Sequence, residues 1–398
     1  MLPSVRRARR ALALTRNTIG GWRTRRHILV LESDDWGNTR MPDHHAFEAC
    51  IQRGFPIESD PFLRFDTIAS PDDLELLFDV LGRHHDSTGR PAVLTANCVT
   101  SNPDFSKIRD AGFAEYHPEP LVTSLNRTPD HRNTFDLWNQ GIHEGIFRPQ
   151  FHAREHLNIA LWLELLQQGH PGANFAFGLG LVSTLENSGR EDHLVTATTY
   201  RNESEAQIAE ESYADGLARF EALFGRPSRS CIPTKYVWSE RLGRAAARCG
   251  VRYIQGKRRM LGPGTTGATH QSRRLVGRMD GTGLMHLVRN CMLEPSFAHK
   301  GSDPVDDCLL DISVAFRMGK PAIVGTHRIN YVGSLSSGNR DVGLSALDRL
   351  LGIVRMRWPN VEFLASDMLG DTIAKDMGHP STRSGPRLNS SRLDEASP

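Results

Sequence analysis

Apolar positions along the chain fall into two alternating rhythms. Residues 27–33 form a near-continuous apolar run of strand length that gives way to Asp34-Asp35-Trp36-Gly37, so they read as a buried strand ending in a polar turn. Residues 71–85 carry Leu74, Leu77, Phe78 and Leu81 at the spacing of one helical face, and 91–97 are strand-like again. The same reading predicts helices over 134–143, 157–168, 203–224, 239–249, 304–318 and 344–357. Strands are predicted over 147–151, 228–232, 251–255, 285–289, 321–325 and 361–365. Such alternation with apolar strands predicts a parallel sheet, either doubly wound or closed as a barrel. Closure is favoured because Asp34-Asp35, His152 and His327 each follow a strand directly, and barrel sites are assembled from strand C-termini. An open sheet would use mainly the strands beside its switch point.

The 398 residues are 39% hydrophobic and 24% charged, an ordinary globular composition without the ~20-residue apolar stretch of a membrane span. Net charge is only +2, yet Arg6, Arg7, Arg9, Arg10, Arg16, Arg23, Arg25 and Arg26 crowd the start with no acid among them. We expect a basic extension over 1–25, a barrel over 26–375 and a disordered tail over 376–398. The extension reads as solvated, with peripheral contact to an anionic membrane as the alternative. No nucleic-acid partner is expected. Residues 11–14 are too short for a secretory apolar segment, and the six cysteines are scattered without metal or redox spacing, so a cytoplasmic protein with reduced thiols is expected. Residues 258–274, rich in Gly, Arg and Thr, read as a loop over one end of the fold.

Two histidines four apart in His152-Ala-Arg-Glu155-His156, if on a helical turn, point the same way and can share a metal ion. Adjacent carboxylates at a buried strand end repel unless a cation compensates them, so Asp35 is a candidate ligand and Asp34 a candidate general base. The bland alternative for the pair is a helix cap or Asx turn. His327, at the polar end of a late strand, could act as an acid. Arg229 or Arg289 could supply a cation that orients Asp34.

Ser33-Asp34-Asp35-Trp36-Gly37 resembles the Asp-Asp-Gly signature of polysaccharide deacetylases with the NodB-like fold, and His152-x-x-x-His156 resembles their second motif. Residues 323–327 look like the late strand with their catalytic histidine, so the resemblance spans roughly 26–372. It implies a distorted (β/α)7 barrel of the NodB-like glycoside hydrolase/deacetylase type. It also implies Asp34 as base, Asp35, His152 and His156 as ligands of a divalent ion, commonly zinc, and His327 as acid; Arg289, with Arg229 as the alternative, is our own candidate for the catalytic cation beside Asp34. The phrases around Gln150, Arg289-Asn290 and His327-Arg-Ile-Asn-Tyr331 look like an uncharacterised deacetylase-like branch. Three departures stand out: Trp36 precedes the glycine, no arginine sits at the expected offset from Pro233, and Gly-Thr-His replaces Leu-x-His.

The expected activity is removal of N-acetyl or related acyl groups from a carbohydrate. Trp36, Tyr236, Trp238, Asn290 and Tyr331 are expected at the substrate, the aromatic ones stacking on sugar faces. Three alternatives remain open. A barrel of this kind could bind a glycan or partner without turnover. His-x-x-Glu155-His could belong to an inverted zinc peptidase with Glu155 as base and Glu210 or Glu211 as third ligand. The same ligand types could hold iron in an oxygenase.

Overall fold

The computed structural model describes residues 10–12, 14, 15, 18–127, 131–185, 193–264, 272–299 and 301–378. The expected tail from 379 onward, Arg6, Arg7, Arg9 and Arg16, and residues 265–271 of the expected loop lie outside these. Among the described residues, nine strands form one parallel sheet. They are β1 (His27–Trp36), β2 (Leu94–Val99), β3 (Phe147–Ala153), β4 (Ser230–Cys231), β5 (Tyr253–Gly256), β6 (Met285–Val288), β7 (Cys291–Met292), β8 (Ala322–His327) and β9 (Val361–Phe363). The order across the sheet is β6-β5-β4-β3-β2-β1-β8-β7, with β9 on the first residues of β1.

The two ends of that order are one piece of chain. Residues 285–288 pair with β5 and residues 291–292 with β8, so the continuous segment 285–292 joins both edges and closes a seven-membered ring. Closure removes the unpaired edges that an open sheet exposes. The result is a distorted (β/α)7 barrel, the closed alternative that the strand ends favoured.

Helices cover the outside: α1 (Pro71–Gly82), α2 (Thr134–His143), α3 (Glu203–Phe224), α4 (Glu240–Arg248), α5 (Pro304–Arg317), α6 (Ser337–Arg357) and α7 (Ser366–Asp376). Their starts are chemically marked. Ser70 and Asp73 form a reciprocal capping box ahead of α1, and Asn202 caps α3 through the Glu205 amide. No helix among the described residues is long and apolar enough to cross a membrane.

The period of two along each strand sorts residues between helix side and barrel interior. Leu29 and Leu31 pack with the helices, whereas Ile28 and Val30 join Met285, Leu287, Ile323 and Leu369 in a separate apolar cluster at the barrel base. Continuing inward, β1 turns polar at Glu32 and Asp34. A middle layer follows suit: Asn97 and Gln255 exchange amide hydrogen bonds of 2.9 and 3.0 Å, and Gln255 Nε2 also donates to Ser230 Oγ at 2.9 Å. Buried amides and hydroxyls that satisfy one another make a specific floor for the rim above.

The candidate metal and catalytic site

The rim carries a cavity of about 270 Å³ whose walls include Asp34, Asp35, His152, His156, Tyr236 and His327. Each comes from the C-terminal end of a strand or the loop after it. The ladder between β1 and β2 shifts register between Ser33 and Trp36, and Asp35 has φ 72°, the left-handed region that L-residues seldom adopt. That bulge separates the two carboxylates. Asp34 continues the inward face opposite His327 of β8, Asp35 turns to the rim, and Trp36 is returned to the helix side.

His152 lies near the end of β3 and His156 in the following loop, not on a helical turn as expected. His152 Nδ1 donates to the Ile232 carbonyl at 2.8 Å, which leaves Nε2 as the lone-pair nitrogen. Burial pushes the pKa of His156 well below the usual value, against the pull of Asp35. Each imidazole Nε2 stands 3.4 Å from Asp35 Oδ1, and His152 Nε2 makes no hydrogen bond among the described residues. Burial opposes the charge on Asp35, but His156, His152 and Arg40 outweigh it and hold the carboxyl well below its ordinary range.

Three lone-pair donors within 4.8 Å of one another repel unless a cation lies between them. A tetrahedral ion with bonds of about 2.0–2.1 Å separates neighbouring donor atoms by about 3.4 Å. The observed spacing and the ligand chemistry therefore fit a divalent ion such as zinc.

Asp34 is clamped separately. Arg289 donates from Nη1 and Nη2 to its two oxygens, both at 2.7 Å, and Asn97 Nδ2 donates to Oδ1 at 2.8 Å. Burial works against ionisation, yet Arg289 prevails and keeps Asp34 below the usual carboxylate range. The same guanidinium reaches Glu32 from Nε at 2.6 Å and the Tyr236 hydroxyl from Nη1 at 3.1 Å. Gly325 makes room for it: a Cβ there would meet Arg289 Cδ at 2.9 Å. Arg229 points elsewhere, pairing with Asp371.

His327 Nε2 lies 3.8 Å from Asp34 Oδ2, and its Nδ1 is 2.6 Å from Glu294 Oε1. Burial disfavours the imidazolium, but Glu294 with Asp34 and Asp35 pushes the pKa up to about 9. Glu294 is itself fixed by Asn330 Nδ2 at 2.8 Å. Sequence reasoning missed Glu294, Asn97, Phe62 and Phe297. Phe62 and Phe297 wall the cavity, with Phe62 edge-on to His327 at 5.5 Å.

Of the residues expected at a sugar, only Tyr236 lines this cavity. Trp36 is 1% exposed, packed against Phe147 and Trp138, with its indole donating to Ser33 Oγ at 2.9 Å. Trp238 stacks edge-on to Tyr213, and the Tyr331 hydroxyl is 3.0 Å from Thr326 Oγ1. Asn290 bridges the barrel seam, donating to the Pro321 carbonyl and accepting from the Ile323 amide. Packing and backbone pairing consume these four. The peptidase arrangement is also absent: Glu155 accepts from Arg154 and Ser212, Glu210 pairs with Arg241 and Arg248, and Glu211 accepts from Gln207.

No family model and no curated protein matches the sequence. Solved structures similar to it include a candidate glycoside hydrolase/deacetylase from Parabacteroides distasonis, at 9% identity and TM-score 0.48 over 88% of this chain and 72% of that one. A candidate polysaccharide deacetylase from Mycobacterium smegmatis aligns at 10% identity and TM-score 0.43, covering 93% and 98%. A 4-alpha-glucanotransferase from Thermococcus litoralis aligns at 10% identity and TM-score 0.44, covering 86% of this chain but 39% of its own.

Proposed function

We propose that the protein is a metal-dependent hydrolase that removes an N-acetyl or related acyl group from a carbohydrate, as the polysaccharide deacetylases its motifs resemble do. The observation that carries this reading is the division of labour at the rim. Asp35, His152 and His156 converge at ion-binding spacing, while Asp34 and His327 form a separate pair 3.8 Å apart on the same cavity.

A divalent ion held by the first three residues supplies Lewis acidity toward a carbonyl oxygen and an attacking water. Asp34 is the base. Its Oδ1 already accepts from Asn97 and Arg289, whereas Oδ2 accepts only from Arg289 and keeps a lone pair toward His327. Oδ2 takes the proton of the water as the water oxygen bonds to the acyl carbon. His327, held as imidazolium, gives its Nε2 proton to the amide nitrogen as the C–N bond breaks, so the amine leaves neutral. Tyr236, Phe62 and Phe297 offer aromatic faces for a sugar ring.

The test is acetate release from N-acetylglucosamine oligomers with and without a chelator. Release that stops with chelator and returns with added zinc is expected. A metal-loaded protein that binds the oligomers yet frees no acid would instead be a binding barrel.

A further inference from the structure

A second cavity, of about 560 Å³, lies beside the first and shares Lys257 and Met292 with it as wall residues. It lies over the barrel seam, against Val288, Asn290 and Cys291. Residues of the basic extension form one side: Arg10, Leu14, Thr18 and Gly20. That side is tied down. Lys320 Nζ donates to the Trp22 and Gly21 carbonyls at 2.7 and 3.0 Å, and Trp22 N donates to the Val276 carbonyl at 2.7 Å.

The charge lining this cavity is one-sided. Lys257, Arg258, Arg259 and Arg274 face it, and its single acid, Asp311, is already bound by Arg10 through Nε at 2.8 Å and Nη2 at 2.7 Å. Among the described residues no carboxylate pairs with Lys257 or Arg258. Arg258 reaches only the Ile19 carbonyl at 3.4 Å, and Lys257 sits 4.2 Å from the Tyr236 ring centroid. Arg274 contacts Asp280 at 3.3 Å through Nη1, yet its buried Nε has no partner among the described residues. A buried guanidinium N–H left unbonded is costly, and a cavity lined by several cations and almost no free acid concentrates anions.

We propose that this cavity is a subsite for a phosphate-class anion, and that the substrate of the neighbouring site carries such a group beside its acyl-bearing sugar. The second half rests on the hydrolase reading; the first does not. Guanidinium and ammonium groups match phosphate oxygens as charge-assisted donors, and Lys257, on both walls, would stand between the anion and the reacting centre.

The experiment measures binding without turnover. Inorganic pyrophosphate is titrated into the wild-type chain and into a Lys257→Gln/Arg258→Gln double variant, with chelator present so that an ion at the first site cannot bind the anion. Both altered side chains are at or near the surface, so the fold is expected to survive, and Arg274→Gln is a second variant. Salt-sensitive binding that weakens about tenfold or more in the double variant is expected. Phosphatidic acid vesicles are tested in parallel. Binding to vesicles alone, with the same loss in the variant, assigns the phosphate to a lipid headgroup and still supports the subsite. Failure of both probes, or binding indifferent to the substitutions, overturns it. Absence of acyl release with this binding intact would sink only the hydrolase reading.

Discussion

Arg289→Gln removes the one cation that two buried carboxylates share. The wild-type guanidinium side chain is 1% exposed and makes three contacts of 2.6–2.7 Å to Glu32 and Asp34. Deleting one partner of a buried ion pair costs about 3–5 kcal/mol, because the other charge is left unsolvated. The separate hydrogen bonds are not added to that figure, since all belong to one network. The variant should also acquire a characteristic pH dependence. Burial already raises Glu32 even against Arg289, and it would act on both acids unopposed. A carboxyl whose folded pKa lies above its unfolded value stabilises the fold below the unfolded pKa, and that contribution is lost as pH rises through the folded pKa. The stability deficit should therefore be smaller near about pH 5 and larger near about pH 8. Urea unfolding at the two pH values measures it. If Asp34 is the base, the acid limb of the rate profile should move upward in parallel. A variant within about 1 kcal/mol of wild type at both pH values, or a deficit that shrinks as pH rises, would refute the argument.

His152→Ala should abolish stoichiometric metal in protein purified without added zinc, read by elemental analysis, while the far-ultraviolet circular dichroism is kept; retained metal would remove His152 from the ligand set. Asp34→Asn should keep its metal and lose about 10²–10⁴-fold in kcat, and a variant as fast as wild type would exclude Asp34 as base. Glu294→Gln should lower the pKa of His327 from about 9. If the imidazolium is the active acid, activity falls as pH rises through that pKa, so the alkaline limb should shift to lower pH with KM little changed; an unmoved limb would count against the Glu294 contact as its cause.

How much of this was legible beforehand depends on which residues obey a period. Strand runs were visible because inward and outward positions of β1 are both buried, and the boundaries erred where the backbone left the regular pattern. The strand was expected to stop before Asp34, but it runs to Trp36 through a bulge with Asp35 in the left-handed region. Nothing in the identity of Asp35 announces that conformation, so the face taken by Trp36 was misjudged and a core residue looked like a sugar contact. The histidine pair survived an error of element: His152 stands near the end of β3 and His156 lies in the loop that folds back over the same rim, so the two imidazoles meet without a helical turn. Phe62 and Phe297 sit in helical pieces of five and three residues and Glu294 just ahead of the second, too short for a period to mark the direction of a side chain.

Gly325 and Arg289 show why a local reading of motifs fell short. The lack of an arginine at the expected offset from Pro233 and the glycine in place of leucine before Thr326-His327 looked like two separate departures from the deacetylase pattern. In the barrel they meet. The guanidinium that clamps Asp34 arrives from the end of β6, and its side chain crosses β8 where any Cβ would come within 2.9 Å of Arg289 Cδ. A leucine at position 325 would have to displace the arginine and, with it, the counter-charge of Asp34 and Glu32. In this barrel the cation beside Asp34 comes from the end of β6 and the position its side chain crosses carries no Cβ, so the two features answer one packing requirement that keeps the carboxylate ionised.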